Sequence, residues 1–346
     1  MKSWLNRLFS ASPPATRDAP RPATAVAPAG MPAVAAGPEA PTRPGEPRGH
    51  EMALLAWMAN GPAYTVGPAG PREQAALSQL DRLVADTSAH HRLLPRAAAV
   101  IPPLLARLRS PALSLVDLSV HVSRDMTLVT EIIRMANGAH YRRDEAIVEL
   151  DHALRVLGVA GLQSSIARAV LRPMIEVRSG KLLACSAARL WEHTDRKAQL
   201  CSALAPGLGF EALDACLAAL AHNAVWSAVL RTMDEVDGDQ PWRLSPAFVQ
   251  ALCARRNRLF AIVGRQWQLP DGILHAASDM NSATPPGEVA PATQLLQVGD
   301  RLAWLLCHPD RRQADAEAAD WLRAFDSAVR TCYAGLDSSA TEVVAA

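Results

Sequence analysis

From residue 51 onward the apolar residues of this 346-residue chain recur at three- and four-residue intervals, and no stretch sustains the period-2 alternation of β-branched residues that a half-buried strand requires. A chain patterned this way buries its apolar surface only by packing helix on helix, so the expected fold class is all-α, a multi-helix bundle. REQAALSQLDRLVAD sets Ala76, Leu77, Leu80 and Leu83 on one stripe; DMTLVTEIIRMANG does the same with Leu128, Ile132 and Met135 before Asn137-Gly138 stops it. EMALLAWMA ends at Asn60-Gly61-Pro62 and DHALRVLG at Gly158. Pro102-Pro103 is placed to open a helix over PPLLARLRS, since proline suits a first helical turn. The series continues from AGLQSSIARAVL through KLLACSAARLWEHTDRKAQLCSALA and EALDACLAALAHNAVWSAVLRTM to ADAEAADWLRAFDSAVRTCYAGL.

The N-terminal region is built differently. Residues 11–50 hold ten of the 26 prolines, eleven alanines and no aromatic residue, so nothing there can seed a core, and a disordered Pro/Ala-rich arm is expected. Ahead of it, MKSWLNRLFS would as a helix place Trp4, Leu5, Leu8 and Phe9 on one side with Lys2 and Arg7 flanking, a pattern suited to a membrane surface or a partner's groove. Ten residues do not hold a helix alone in water, so the segment is either a frayed tail or a weak contact in which Trp4 and Phe9 are the candidate binding residues. The expected layout is a short amphipathic segment (1–10), the arm (11–50), lead-in helices (51–90), a helical domain (91–285) and C-terminal helices packed on it (286–346).

Charge and cysteine usage remove several functions. The net charge is +1, split as +3 over residues 1–50 and −2 over the remainder, so no basic face for a nucleic acid is indicated. Six cysteines without a CxxC pair read as free core thiols in a reducing cytoplasm. No uninterrupted apolar run approaches the roughly 20 residues of a membrane span, and no secretory h-region is present. GxSxG, GxxxxGK[ST] and HExxH are all absent, which leaves acyl transfer, P-loop phosphoryl transfer and zincin chemistry without their residues. Glu192, Asp195 and Asp214 are expected on solvated or ion-paired helix faces, and the histidines of AHHR (89–92) at a helix end. Trp191, Trp226, Trp267 and Trp304 fall in core patterns; Trp242, in the polar stretch DEVDGDQPWRLSP, is either an exposed anchor for a partner or the pin of its own loop.

The order of several segments resembles the HDOD family, helical regulatory relatives of the HD metal-dependent phosphohydrolases. The resemblance is carried by LVDLSVHVSRDMTLVTEIIRMANGAHY (115–141), ALRVLGVAGLQ (153–163), LWEH (190–193), LAHN (220–223) and RLFAIVGRQWQLPDGI (258–273), with an echo in LLQVGDRLAWLL. It implies an HD-like bundle over roughly residues 90–285. It further implies that His193 stands at the first metal position of the enzymes and His222-Asn223 at their His-Asp pair. Where fuller sets carry a later His, this chain shows Arg256 or Asn257, and Met280-Asn281 stands where a His-His pair would be; no residue is assigned to the final Asp.

An aspartate at the pair would offset a divalent ion's charge, whereas Asn223 supplies only a neutral dipole. The three positions are therefore expected to be vestigial, with no metal, no cofactor and no catalytic residue, and with Arg256 beside the same pocket as a candidate binding residue. The function expected is that of a non-enzymatic bacterial signal-transduction regulator acting through protein–protein contact. The resemblance implies partners acting in trans, among cyclic-dinucleotide or two-component signalling proteins. The alternatives are a metal-dependent phosphohydrolase acting on a nucleotide or cyclic dinucleotide, and a peripheral membrane adaptor held by residues 1–10.

Overall fold

The computed structural model describes residues 49–59, 61, 63–64, 67–89, 97–110, 119, 122–123, 126–137, 146–175, 180–237, 242–281 and 289–344. The first half comprises α1 (Gly49–Met58), β1 (Ala63–Tyr64), α2 (Pro71–Ala85), α3 (Ala97–Leu108), α4 (Met126–Ala136) and α5 (Leu150–Ile175). Then come α6 (Lys181–Leu204), α7 (Ala212–Asp237), β2 (Arg243–Leu244), α8 (Pro246–Gln266), the short α9 (Asp271–Leu274) and α10 (Ala276–Asp279), α11 (Pro291–Cys307), α12 (Arg311–Leu322) and α13 (Ser327–Val344). Among the described residues the fold is all-α apart from a two-residue parallel pairing that sets Ala63 opposite Arg243 and Tyr64 opposite Leu244.

α6 and α7 form the central pair; α11 and α13 lie on α6, while α8 and α5 lie on α7. Leu217, Leu220, Val225, Trp226, Val229 and Met233 are buried all around α7, the pattern of a helix enclosed by its neighbours. This corrects the search for uninterrupted apolar runs: Leu150–Ile175 and Ala212–Val236 are long and apolar enough to cross a bilayer by length and composition. The most apolar stretch of the second is 94 % buried inside the bundle, which marks a core helix.

Local chemistry sets the helix boundaries. At Gly158 the backbone takes φ 63°, a conformation that side chains oppose, so the expected stop is real; the helix resumes at once and α5 is kinked rather than ended. Asn137 closes α4: its Oδ1 accepts the Ile147 N–H at 2.7 Å and its Nδ2 donates to the Ile147 carbonyl at 2.6 Å, tying the helix end to the segment that enters α5. The Pro102-Pro103 expectation is corrected, because α3 begins at Ala97 and carries both prolines inside it. Proline's fixed φ is compatible with a helix, and the cost is lost N–H donors.

Glu73, in the first turn of α2, is 5 % exposed. Its carboxylate accepts from the Gly70 N–H (2.7 Å), the Ser245 N–H (2.8 Å) and the Ser245 hydroxyl (2.9 Å), while Ser245 Oγ accepts from the Phe248 N–H and caps α8. One buried carboxylate therefore fixes the starts of two helices far apart in sequence. Glu73→Ala leaves those donors unmatched and is expected to lower the unfolding free energy by about 2–4 kcal/mol, read from urea unfolding monitored by circular dichroism; an unchanged midpoint would exclude this clamp.

Candidate functional site

His193 and Lys197 are one helical turn apart on α6 and so project from the same face. His222 and Asn223 come from α7, Asp300 from α11 and His50 from α1, and all six side chains are buried. A Cβ at Gly299 would overlap Cys201 Sγ on α6, so glycine there is what allows α11 to press close enough to deliver Asp300.

The centre of the cluster is the Lys197 ammonium. Its Nζ lies 2.5 Å from Asp300 Oδ1, 2.6 Å from His222 Nδ1 and 3.1 Å from Asn223 Oδ1. An ammonium carries three protons and no lone pair, so all three neighbours accept and every donor is used. His222 is thereby fixed as the neutral tautomer with its proton on Nε2, which points toward Asn257 without reaching hydrogen-bond geometry. Asn223 works at both ends: Oδ1 accepts from Lys197, while Nδ2 donates to His193 Nδ1 at 2.9 Å and to the Thr194 hydroxyl at 3.2 Å. His193 in turn donates from Nε2 to the Asp300 carbonyl at 3.3 Å. A carboxylate at 223 would turn a lone pair onto the neutral His193 Nδ1, so the amide is matched to its neighbours.

Electrostatics follow from burial. Desolvation lowers the His193 pKa to about 4 despite the nearby Asp300 charge, and desolvation with the Lys197 and Arg256 charges takes His222 well below the usual imidazole range. Burial alone would raise the Asp300 carboxyl, but the Lys197 ammonium and the His50 ring outweigh it and hold the group well below the ordinary carboxylate range. Burial lowers the Lys197 pKa, opposed chiefly by Asp300. His50 Nε2 stands 3.7 Å from Asp300 Oδ2, on the side away from the lysine.

The residues expected at the site divide. His193, His222 and Asn223 come together. Arg256, expected beside this pocket as a candidate binding residue, is 2 % exposed, stacks over Trp226, and reaches Glu51 at 3.3 Å and Asn257 at 3.0 Å; it acts on the cluster by charge from within the core rather than as an exposed side chain. Asn257 Nδ2 donates to Asn281 Oδ1 at 2.9 Å. Trp242 is 5 % exposed, stacked on Phe248 with the Arg72 guanidinium over its ring, so it pins its loop and is not an exposed anchor. Trp4, Phe9, His90 and His91 lie outside the described residues. Glu192, Asp195 and Asp214 pair with Arg196, Arg168 and Arg109. Burial raises the Cys201 and Cys216 thiols to about 12 and 11, which removes them as nucleophiles.

Two central residues went unrecognised in the sequence, Lys197 and Asp300. Their signals were a lysine four positions after His193 and a lone carboxylate within the apolar LLQVGDRLAWLL. For a divalent ion the donor chemistry does not fit: the one carboxylate at the centre is already balanced by an ammonium that fills the point of convergence. Among the described residues no group of three His, Cys, Asp or Glu side chains is set to share an ion.

The HDOD domain family model matches residues 94–282. A protein of Shewanella amazonensis SB2B, whose name, metal-dependent phosphohydrolase, is provisional, has a solved structure that aligns with a TM-score of 0.51 at 16 % identity. That alignment covers 78 % of this chain and 99 % of the other, and shows a shared fold. An HDOD domain protein of unknown function from Geobacter sulfurreducens aligns at 14 % identity over 79 % of this chain and 97 % of its own, with a TM-score of 0.46. An uncharacterized protein of Treponema pallidum (strain Nichols) is 20 % identical over 219 residues, 59 % of this chain; the match spans only 41 % of that relative's length.

The cluster makes the protein acid-sensitive in a defined window. In the unfolded chain His193 gains a proton near its ordinary value of 6.5, whereas folded it does so only near 4. Between those values the unfolded state binds more protons, so stability falls as pH drops from 6.5 to 4, by about 3 kcal/mol for this residue. His222, shifted in the same direction, adds to the loss. Urea titrations at stepped pH are expected to show the fall, with a shallower slope in His193→Gln; equal slopes would mean that His193 is not held neutral.

Proposed function

The chain belongs to the HDOD domain family, and from that premise we propose that it is a non-enzymatic regulator of bacterial signal transduction, working in the cytoplasm by protein–protein contact, with a degenerate metal site at its centre. The observation that carries this reading is the Lys197 ammonium, placed where His222, Asn223 and Asp300 converge. A hydrolytic metal centre needs spare negative charge to hold a divalent ion and to activate its water. Here the carboxylate and the ammonium balance each other, and the Nδ1 atoms of His193 and His222 already accept hydrogen bonds, which supports a structural role for the cluster.

What is left to such a scaffold is recognition. Binding a partner in trans stabilises one arrangement of scaffold or partner over another, and the regulatory effect is that shift in populations. Signalling proteins of cyclic-dinucleotide or two-component networks are the proposed partners, with the segment carrying Trp4 and Phe9 as a second contact on protein or membrane. Met126, at the start of α4, and Val148, beside its end, are exposed apolar side chains that the core does not use.

Cross-linking followed by affinity purification from the native cell tests the reading, comparing the full chain with one that starts at Gly49. That start keeps His50, which a cut at residue 51 would remove from Asp300. Recovery of a signalling protein with the full chain, reduced on truncation, is the expected outcome. Turnover of a cyclic dinucleotide by the purified chain, lost in His222→Ala, would overturn the proposal.

A further inference from the structure

We propose that the Lys197 ammonium is a resident stand-in for a metal ion. Replacing it by a neutral side chain, and giving position 223 a carboxylate, would convert the same point into a site for one transition divalent cation. The inference rests on reading the wild-type centre as non-catalytic.

Three atoms of the kinds that bind borderline divalent ions converge on one nitrogen: the imidazole Nδ1 of His222 at 2.6 Å, the side-chain oxygen of Asn223 at 3.1 Å and the carboxylate oxygen of Asp300 at 2.5 Å. Only lone pairs face that point. Such an arrangement stabilises a cation of any kind, and what selects among cations is charge balance and length. One carboxylate balances an ammonium; a divalent ion requires more negative charge and contacts of about 2.0–2.2 Å, a contraction of some tenths of an ångström at His222 and Asp300 and of about 1 Å at position 223. Position 223 already presents an oxygen to the cation, so Asn223→Asp adds charge without adding bulk. His193, which now accepts from the Asn223 amide, could protonate at Nδ1 and donate to the new carboxylate, orienting it as outer partners orient metal ligands. Lys197→Met keeps the apolar stem of the side chain against α11 while vacating the charged tip.

The experiment uses the full chain as wild type, Lys197→Met, Lys197→Met with Asp300→Asn, and Lys197→Met with Asn223→Asp. Each is purified, equilibrated with Co²⁺ or Zn²⁺, desalted, and followed by metal analysis, Co²⁺ absorption and thermal melting. The wild type is expected to retain less than about 0.1 equivalent with an unmoved melting temperature. The Lys197→Met, Asn223→Asp variant should hold about one equivalent, show Co²⁺ ligand-field bands and melt higher with metal than without. Lys197→Met alone should melt below wild type, and Asp300→Asn should recover part of that loss, because the stranded carboxylate is then gone. A folded Lys197→Met, Asn223→Asp variant that takes up no metal overturns the proposal. So does one that stays unfolded after refolding with Zn²⁺ present, or Lys197→Met melting like wild type. One equivalent of metal on the wild type would instead strike at the functional reading itself.

Discussion

A lysine ammonium and an aspartate carboxylate, both buried, meet at 2.5 Å between α6 and α11, and the centre of the bundle is organised around that pair. Taking two such charges out of water costs several kcal/mol each, a cost offset only where geometry is good and the remaining protons and lone pairs find partners. Here they do. The ammonium spends its other two protons on α7, at His222 and Asn223, and the carboxylate turns its second oxygen to His50 of α1. Four helices are thus held by one ionic knot, and the surrounding apolar core gives the region around the knot its low dielectric and so its strength.

The same knot determines what the cluster can do chemically. An active phosphohydrolase centre keeps lone pairs and negative charge in reserve for ions and substrate; this cluster keeps none. Asn223 makes the difference specific, since its amide accepts from the lysine and donates to a neutral His193, two tasks that a carboxylate cannot perform together with His193 unprotonated. Asn223 is therefore an integral part of the network, and Gly299 belongs to the same packing because it lets α11 approach.

Much of the fold was legible, since periodicity finds amphipathic helices and Gly158 and Asn137 signal their own breaks. The wholly buried α7 was found as a helix, but its bilayer-compatible length was missed by counting only uninterrupted apolar residues. At the site, His193 and His222-Asn223 were visible because their spacing matches a known pattern. Lys197 was not, because a lysine in a helix ordinarily faces water, and nothing local says that this one faces α11. Asp300 lies more than a hundred residues from Lys197, and only the packed bundle brings them together. Of the two readings that the polar stretch around Trp242 left open, tertiary packing selects the loop pin, and the same packing buries the Arg256 side chain.

The matched family residues, 94–282, include Lys197, His193, His222 and Asn223 but neither Asp300 nor His50. The ammonium thus sits within the stretch that the family defines, while its counterion and the partner of that counterion come from the flanks. Cutting the chain to the matched stretch would strand a fully buried Lys197, a loss of about 3–5 kcal/mol against a total stability that is ordinarily about 5–15 kcal/mol. The flanks also reach the core through Arg256, whose partner Glu51 lies on α1. α1 and α11 are therefore structural parts of the central unit, joined to it by charge as well as by apolar contact, and the segment that precedes Gly49 is attached within two residues of the ionic knot.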